Sequence, residues 1–246
     1  MSSSPSRKIS FLVSAAIMFL AAAPGLFKLA YNFVNKASSY HHYIEGSIER
    51  KGETQKLHLQ FIRNGQLSSS GDREYMLREW GEKYQGSRMD LSEIGLPNPG
   101  EKLERVIDQM GRVKSALRYS AGHRYYLNWL VFPDHPVPAG KNWNYKYQLL
   151  FDVFGKPLRA DCEILYTLDK VLAYKKHYAA KILAQGNCKA QDQTTEMQYG
   201  FNGKSFFDLD QGREIDYQFN ISWLKADGSK NLREIARIEL YSILEK

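Results

Sequence analysis

The side chains through which this chain could do chemistry are six histidines, two cysteines and a few closely spaced carboxylates. The histidines are His41, His42, His58, His123, His135 and His177. None has the His-Glu-x-x-His spacing that puts two imidazoles and a general base on one helical face, and no Cys-x-x-Cys pair is present. The adjacent His41 and His42 would make a weak metal site, because neighbouring strand residues point to opposite faces and so are poor co-ligands. Asp161 and Glu163, like Asp208 and Asp210, can share a strand face as paired carboxylates. The polar face of any amphipathic strand gives the same pattern. No nucleophile elbow, P-loop or dinucleotide fingerprint occurs. The residues point away from catalysis and call for no cofactor; a hydrolase of unrecognised type is the remaining enzymatic reading. Cys162 and Cys188 have two readings. As a disulfide they would close a loop of about 27 residues and add roughly 3 kcal/mol in the chain-entropy model. As free thiols they would be small buried hydrophobes.

The elements that must position these residues are strands. Trp143, Tyr145, Tyr147, Leu149, Phe151 and Val153 fall on every second position, with mostly polar residues between them. Ala160, Cys162, Ile164, Tyr166 and Leu168 alternate likewise, Tyr178 to Leu183 can pair back on them, and Ile215, Tyr217, Phe219, Ile221 and Trp223 repeat the pattern. Leu57, Leu59 and Phe61 alternate ahead of Asn64-Gly65, a strong hairpin-turn dipeptide. Ser68 to Asp72 reads as a polar loop, Tyr75 to Tyr84 as a strand, and Tyr125 to Phe132, apolar on both faces, as a central strand. Leu103, Val106, Ile107, Met110, Val113 and Leu117 fit a helical face, but Asp108-Gln-Met-Gly-Arg112 resembles Asp210-Gln-Gly-Arg213. Both read as hairpin turns, with a helix at 103–118 as the alternative. The seven rings Trp143, Tyr145, Tyr147, Phe151, Tyr217, Phe219 and Trp223 form stripes that would be either a lining for an apolar ligand or ordinary core.

The amino terminus sets the compartment. Arg7 and Lys8 precede the apolar run Ile9 to Ala23, which continues to Phe27. Residues 9–27 would rise about 28 Å as a helix, close to a bilayer core. An uncleaved inner-membrane anchor and a signal peptide cut near Ala21 and Ala23 both fit. Either places the remainder outside the cytoplasm, in the periplasm. The chain divides into a leader with anchor or signal at 1–38 and one exported β domain at 39–246. The net charge of +7 comes from scattered Lys and Arg with no nucleic-acid motif, so it speaks for loose attraction to anionic headgroups rather than for nucleic acid.

Phe132-Pro-x-x-Pro136-Val137-x-x-Gly140-x-x-Trp143 resembles the Leu-Pro-x-x-Pro-Val-x-x-Gly-x-x-Trp signature of a family of exported bacterial domains of unknown function. Gly203-x-x-x-Phe207-Asp208-x-x-x-Gly212 resembles its second hairpin. More distantly, the chain is similar to the half-barrel of periplasmic lipoprotein carriers. Here Phe132 stands for the usual Leu, and the lipoprotein Cys is absent. The resemblance spans roughly residues 40–244. It implies a mainly β fold, a long curved antiparallel sheet forming a half-barrel, with an N-terminal membrane helix or signal peptide and one or two short helices. It carries no activity. The expected function is a non-enzymatic envelope protein whose half-barrel binds an apolar ligand, such as a lipid, or a protein partner. The alternative is a structural or assembly subunit whose core is self-filled.

Overall fold

A computed structural model describes residues 25–32, 37–50, 52–71, 73–88, 91, 96–117, 130–153, 156–191, 196–226 and 231–245. Among these residues there are thirteen strands and no α-helix. In chain order they are β1 (Leu26–Phe27), β2 (Ala37–Arg50), β3 (Glu53–Gly71), β4 (Glu74–Gly86), β5 (Lys102–Asp108), β6 (Val113–Leu117), β7 (Val137–Pro138), β8 (Asn142–Val153), β9 (Lys156–Tyr174), β10 (His177–Gln191), β11 (Glu196–Asp208), β12 (Arg213–Ala226) and β13 (Leu232–Leu244).

Eleven of these strands form one open antiparallel sheet in the order β6-β5-β4-β3-β2-β13-β12-β11-β10-β9-β8. Two meanders, β2 to β6 and β8 to β13, join where the last strand pairs with the first long one, Ile238 opposite Gly46 and Leu240 opposite Ile44. Alternation sets which face is buried. Tyr166, Ile164 and Cys162 on β9, Phe219 on β12 and Ile44 on β2 all point into one core. The cover over that face comes from outside the sheet, through Leu29, Leu96, Leu130, Val131, Phe132 and Val137, each 3% exposed or less.

Two Asp-capped turns hold the cover in place. In the β5–β6 turn the Asp108 carboxylate accepts the amides of Met110 and Arg112, each at 2.9 Å. In the β11–β12 turn Asp208 accepts those of Asp210 and Gln211 at 2.9 and 3.0 Å. Both turns end on a glycine at positive φ, Gly111 at 82° and Gly212 at 62°. The segment 25–32 spans between them. Tyr31 N donates to Gln109 O at 2.9 Å, and Asn32 N to Gly212 O at 3.0 Å. Phe132 N reaches Met110 O at 2.8 Å. The Tyr31 ring then packs on Phe132 and Phe207, with centroids 5.1 and 5.3 Å away.

Several sequence expectations change. Residues 103–117, by contrast, keep the expected hairpin rather than the alternative helix, because alternating Leu103, Arg105 and Ile107 can all face the core. The capping residue of the second turn is Asp208 rather than Asp210. Asn64-Gly65 is no turn: β3 runs through it, paired to β2 and β4 on either side, and Ser39 Oγ donates to Asn64 Oδ1 at 2.6 Å. Ser68 to Gly71 continue β3, and Arg73, at φ 62°, lies in the reversal ahead of β4. Of the central strand expected at Tyr125 to Phe132, residues 125–129 lie outside the described residues. Leu130 to Phe132 are irregular and are apolar because they cover the core. Residues 9–24 of the expected anchor also lie outside the described residues. Leu26–Phe27, assigned to that anchor, instead pair with Val137–Pro138. Leu29 lies in the core, with Phe27 and Tyr31 packed against it.

Candidate functional site

The aromatic stripes reach the buried face. Tyr217, Phe219 and Trp223 are between 0 and 5% exposed, and Trp143 is 9% exposed. Trp143 stacks on Tyr166 at 5.4 Å, and its Nε1 donates to Val131 O at 2.7 Å. The Pro-rich segment ahead of it thus ends in a clasp between the strand and its own cover. Tyr145 and Tyr147 are half-buried at the margin, stacked 5.6 Å apart. Burial pushes the Tyr147 hydroxyl well above the usual phenol range. Phe151 belongs to β8, and its side chain lies outside the described residues. Ile215, expected in the β12 stripe, leaves it. A register shift at Phe206/Phe207 opposes Phe207 to Glu214 and Phe206 to Asp216, and Ile215 joins a separate small cluster with Ala179 and Phe206.

Cys162 and Cys188 are direct cross-strand partners on β9 and β10 and are joined as a disulfide, with Cα atoms 4.0 Å apart. The Tyr147 hydroxyl lies 3.7 Å from Cys188 Sγ.

Asp161 and Glu163 share a strand face as expected, whereas Asp208 and Asp210 part. Asp161 accepts from Gln148 at 2.7 Å and Glu163 from Asn144 at 3.0 Å, both on the solvent face. Asp208 is buried beneath its turn and meets His177 Nδ1 at 2.7 Å, while Asp210 is held through its backbone. His41 and His42 do point apart. His41 pairs with Glu245 at 2.5 Å. His42 is fully buried, stacked on Phe61 at 4.9 Å, with Nε2 3.4 Å from Ser242 Oγ. Burial first, and then the Arg63 charge, hold it well below the usual imidazole range, so it is neutral. Among the described residues no group of three metal-ligating side chains converges.

The structure also assembles charges that the motif search passed over. Arg63 on β3, Glu79 on β4 and Arg105 on β5 lie side by side across three strands, each at most 7% exposed. Arg63 Nη1 is 3.1 Å from one Glu79 oxygen, and Arg105 Nη2 binds the other. The Arg63 guanidinium lies over the Tyr40 ring, 4.9 Å from its centroid. Tyr40 donates from its hydroxyl to Glu214 O at 3.2 Å. Ser205 Oγ donates to Glu214 Oε1, also at 3.2 Å. Burial is the main cause raising Glu214 to about 7, against the opposing pull of Arg63. The sequence does hold a signal for this group. Arg63 continues the phase of Leu57, Leu59 and Phe61, and Arg105 that of Leu103 and Ile107, so both charges sit where an inward residue belongs. Glu214 gives no such signal, since only the register shift turns it inward.

The cluster borders a cavity of about 70 Å³ between β2, β3 and the Gly212 turn, with Asn32, Ser38, Arg63, Arg213 and Glu214 among its lining. A wider groove of about 420 Å³ crosses the solvent face of β9 to β12, with Leu165 and Leu183 as well as Gln185, Asn202, Lys204 and Asn220 in its lining. No helix among the described residues is long and apolar enough to cross a membrane. No protein-family model matches the chain, and no curated protein matches it.

Proposed function

We propose that this is a non-enzymatic protein of the cell envelope, a curved half-barrel of the kind the Pro-Val-x-x-Gly-x-x-Trp signature resembles, acting as a structural or assembly subunit that engages a protein partner. One observation carries this reading. The inner aromatic face is occupied by the chain itself, with Trp143, Tyr217, Phe219 and Trp223 in one core with Leu29, Leu130, Phe132 and Val137. A lipid carrier needs an open apolar cleft at that face. Export is supported by the basic start and the apolar run 9–23, and by a cross-strand disulfide, a bond that persists in oxidising compartments. With Leu26–Phe27 committed to β1, the run left for an anchor is 9–24, about 24 Å as a helix and short of a bilayer core of about 30 Å. This shorter run supports a processed, soluble periplasmic form over an anchored one.

Native mass spectrometry and solvent extraction of the purified protein, with crosslinking in intact cells, test this. The expected result is lipid-free protein, a mass starting near residue 24, and a discrete heteromeric crosslink. Stoichiometric co-purifying lipid, or crosslinked material that is monomer alone, would overturn it.

A further inference from the structure

We infer that the cavity beside Arg63 is a binding site for a small oxyanion, a carboxylate or phosphate group. Arg63 and Arg213 line the cavity, Arg105 binds Glu79 at its border, and among the described residues the carboxylates in the lining are Glu79 and Glu214. Glu79 is committed to two of the three arginines. Arg213 lines the cavity, and its buried Nε has no hydrogen-bond partner among the described residues. The site is therefore cationic, recessed and equipped with an orphan donor, and guanidinium forks suit planar and tetrahedral oxyanions. Neutral donors complete it, since Asn32 and Ser38 stand in the lining. The size fits: about 70 Å³ holds several waters, at roughly 10–15 Å³ for each, or one small anion in their place.

Glu214 makes the site proton-linked. The groups that act on it are Arg63, Arg105, Glu79, Tyr40, Tyr166, Tyr217 and Ser205. Protonated, it leaves the guanidinium excess whole; ionised, it competes with the anion. Affinity rises as pH falls through about 7. The site is independent of the assembly role proposed above, because it lies beside the aromatic core and needs no partner protein.

The test is to titrate the full chain with sodium phosphate and with sodium acetate, against matched sodium chloride, following arginine Nε–H resonances by NMR at pH 6 and pH 8. The expected result is a saturable shift of the Arg213 signal, about tenfold tighter at pH 6. The Arg63 signal should shift along with it, and Arg213→Gln should abolish that Arg63 shift while leaving the melting temperature unchanged. Glu214→Gln should bind alike at both pH values. Anionic phosphatidylglycerol vesicles that displace the bound phosphate identify a lipid headgroup as the source, and vesicles that leave it in place identify a free ion. Shifts that do not saturate, or that persist in Arg213→Gln, overturn the site.

Discussion

The buried Arg63 and Arg105 share the carboxylate of Glu79, one guanidinium on each of its oxygens. Its neighbours on β3 and β5 are fixed by strand register, so neither arginine can follow the charge if it is removed. Glu79→Gln should destabilise the protein by about 3–5 kcal/mol, the usual cost of leaving a buried charge uncompensated. On the solvent face Lys146 and Glu163 lie 3.8 Å apart and largely exposed, so Glu163→Gln should cost at most about 1 kcal/mol. Urea unfolding of the two variants side by side checks the contrast; equal losses would refute it.

Stability should fall as pH rises across the range set by Glu214. Its carboxyl is raised from 4.5 to about 7 by burial. The folded state therefore holds a proton that the unfolded chain has already released. That contribution is full below about pH 4.5 and is lost as pH rises through about 7. It amounts to roughly 3 kcal/mol at 1.36 kcal/mol per unit. Glu214→Gln should flatten this part of the stability–pH curve and be the more stable protein at pH 8. Denaturant midpoints from pH 4 to pH 8 give the comparison, and parallel curves for the two proteins would count against it.

Loss of the Cys162–Cys188 bridge acts chiefly on the unfolded chain. The two residues are separated by 26 positions, and the loop they close is worth about 3 kcal/mol in the chain-entropy model. The double variant Cys162→Ala/Cys188→Ala should lose about that much and keep its strand content by circular dichroism. A melting temperature that does not move under reducing conditions would contradict this.

Gly212 bears on the cover rather than the sheet. A Cβ there would come within 2.3 Å of Asn32 N, at a φ of 62° that side chains avoid. Gly212→Ala should cost about 2 kcal/mol and speed hydrogen exchange at the Asn32 amide, with Ile44 and Phe219 still protected. Unchanged exchange at Asn32 would show that the strap is held elsewhere.

The Trp143 clasp separates hydrogen bonding from packing. Trp143→Phe keeps most of the stack on Tyr166 but leaves Val131 O without its donor, at about 1–2 kcal/mol. Trp143→Ala should cost about 3–5 kcal/mol. Equal effects in thermal denaturation would mean the ring packing adds nothing beyond the indole N–H, and an unchanged Trp143→Phe would mean the N–H contributes nothing.

Long alternating runs were legible because strand period and burial coincide along β9, β12 and much of β3. Turn chemistry misled where neighbouring strands overrode it. Asn64-Gly65 is a favoured turn dipeptide, yet pairing on both sides keeps it extended. Conversely, the β9–β10 reversal is made by Lys175 and Lys176, both at positive φ (47° and 70°), a turn that no glycine announces. The cover segments escaped for a different reason. Leu29 and Leu130 to Phe132 gain their burial from contacts with distant strands, and a local pattern cannot encode those. The charged cluster was half legible: Arg63 and Arg105 sit in the apolar phase, whereas a single shift of register turned Glu214 inward and sent Ile215 elsewhere.

The seam between β2 and β13 dictates the order of biogenesis. Each meander can grow hairpin by hairpin as the chain emerges, at little loop-closure cost. The join between them pairs Tyr40 with Leu244 and Ile48 with Ala236, so it waits for the last strand to leave the ribosome. Until then both β2 and β12 present an unpaired edge. A nascent chain stalled before residue 236 would hold two half-sheets with their seam edges open, and would be the species most in need of a chaperone.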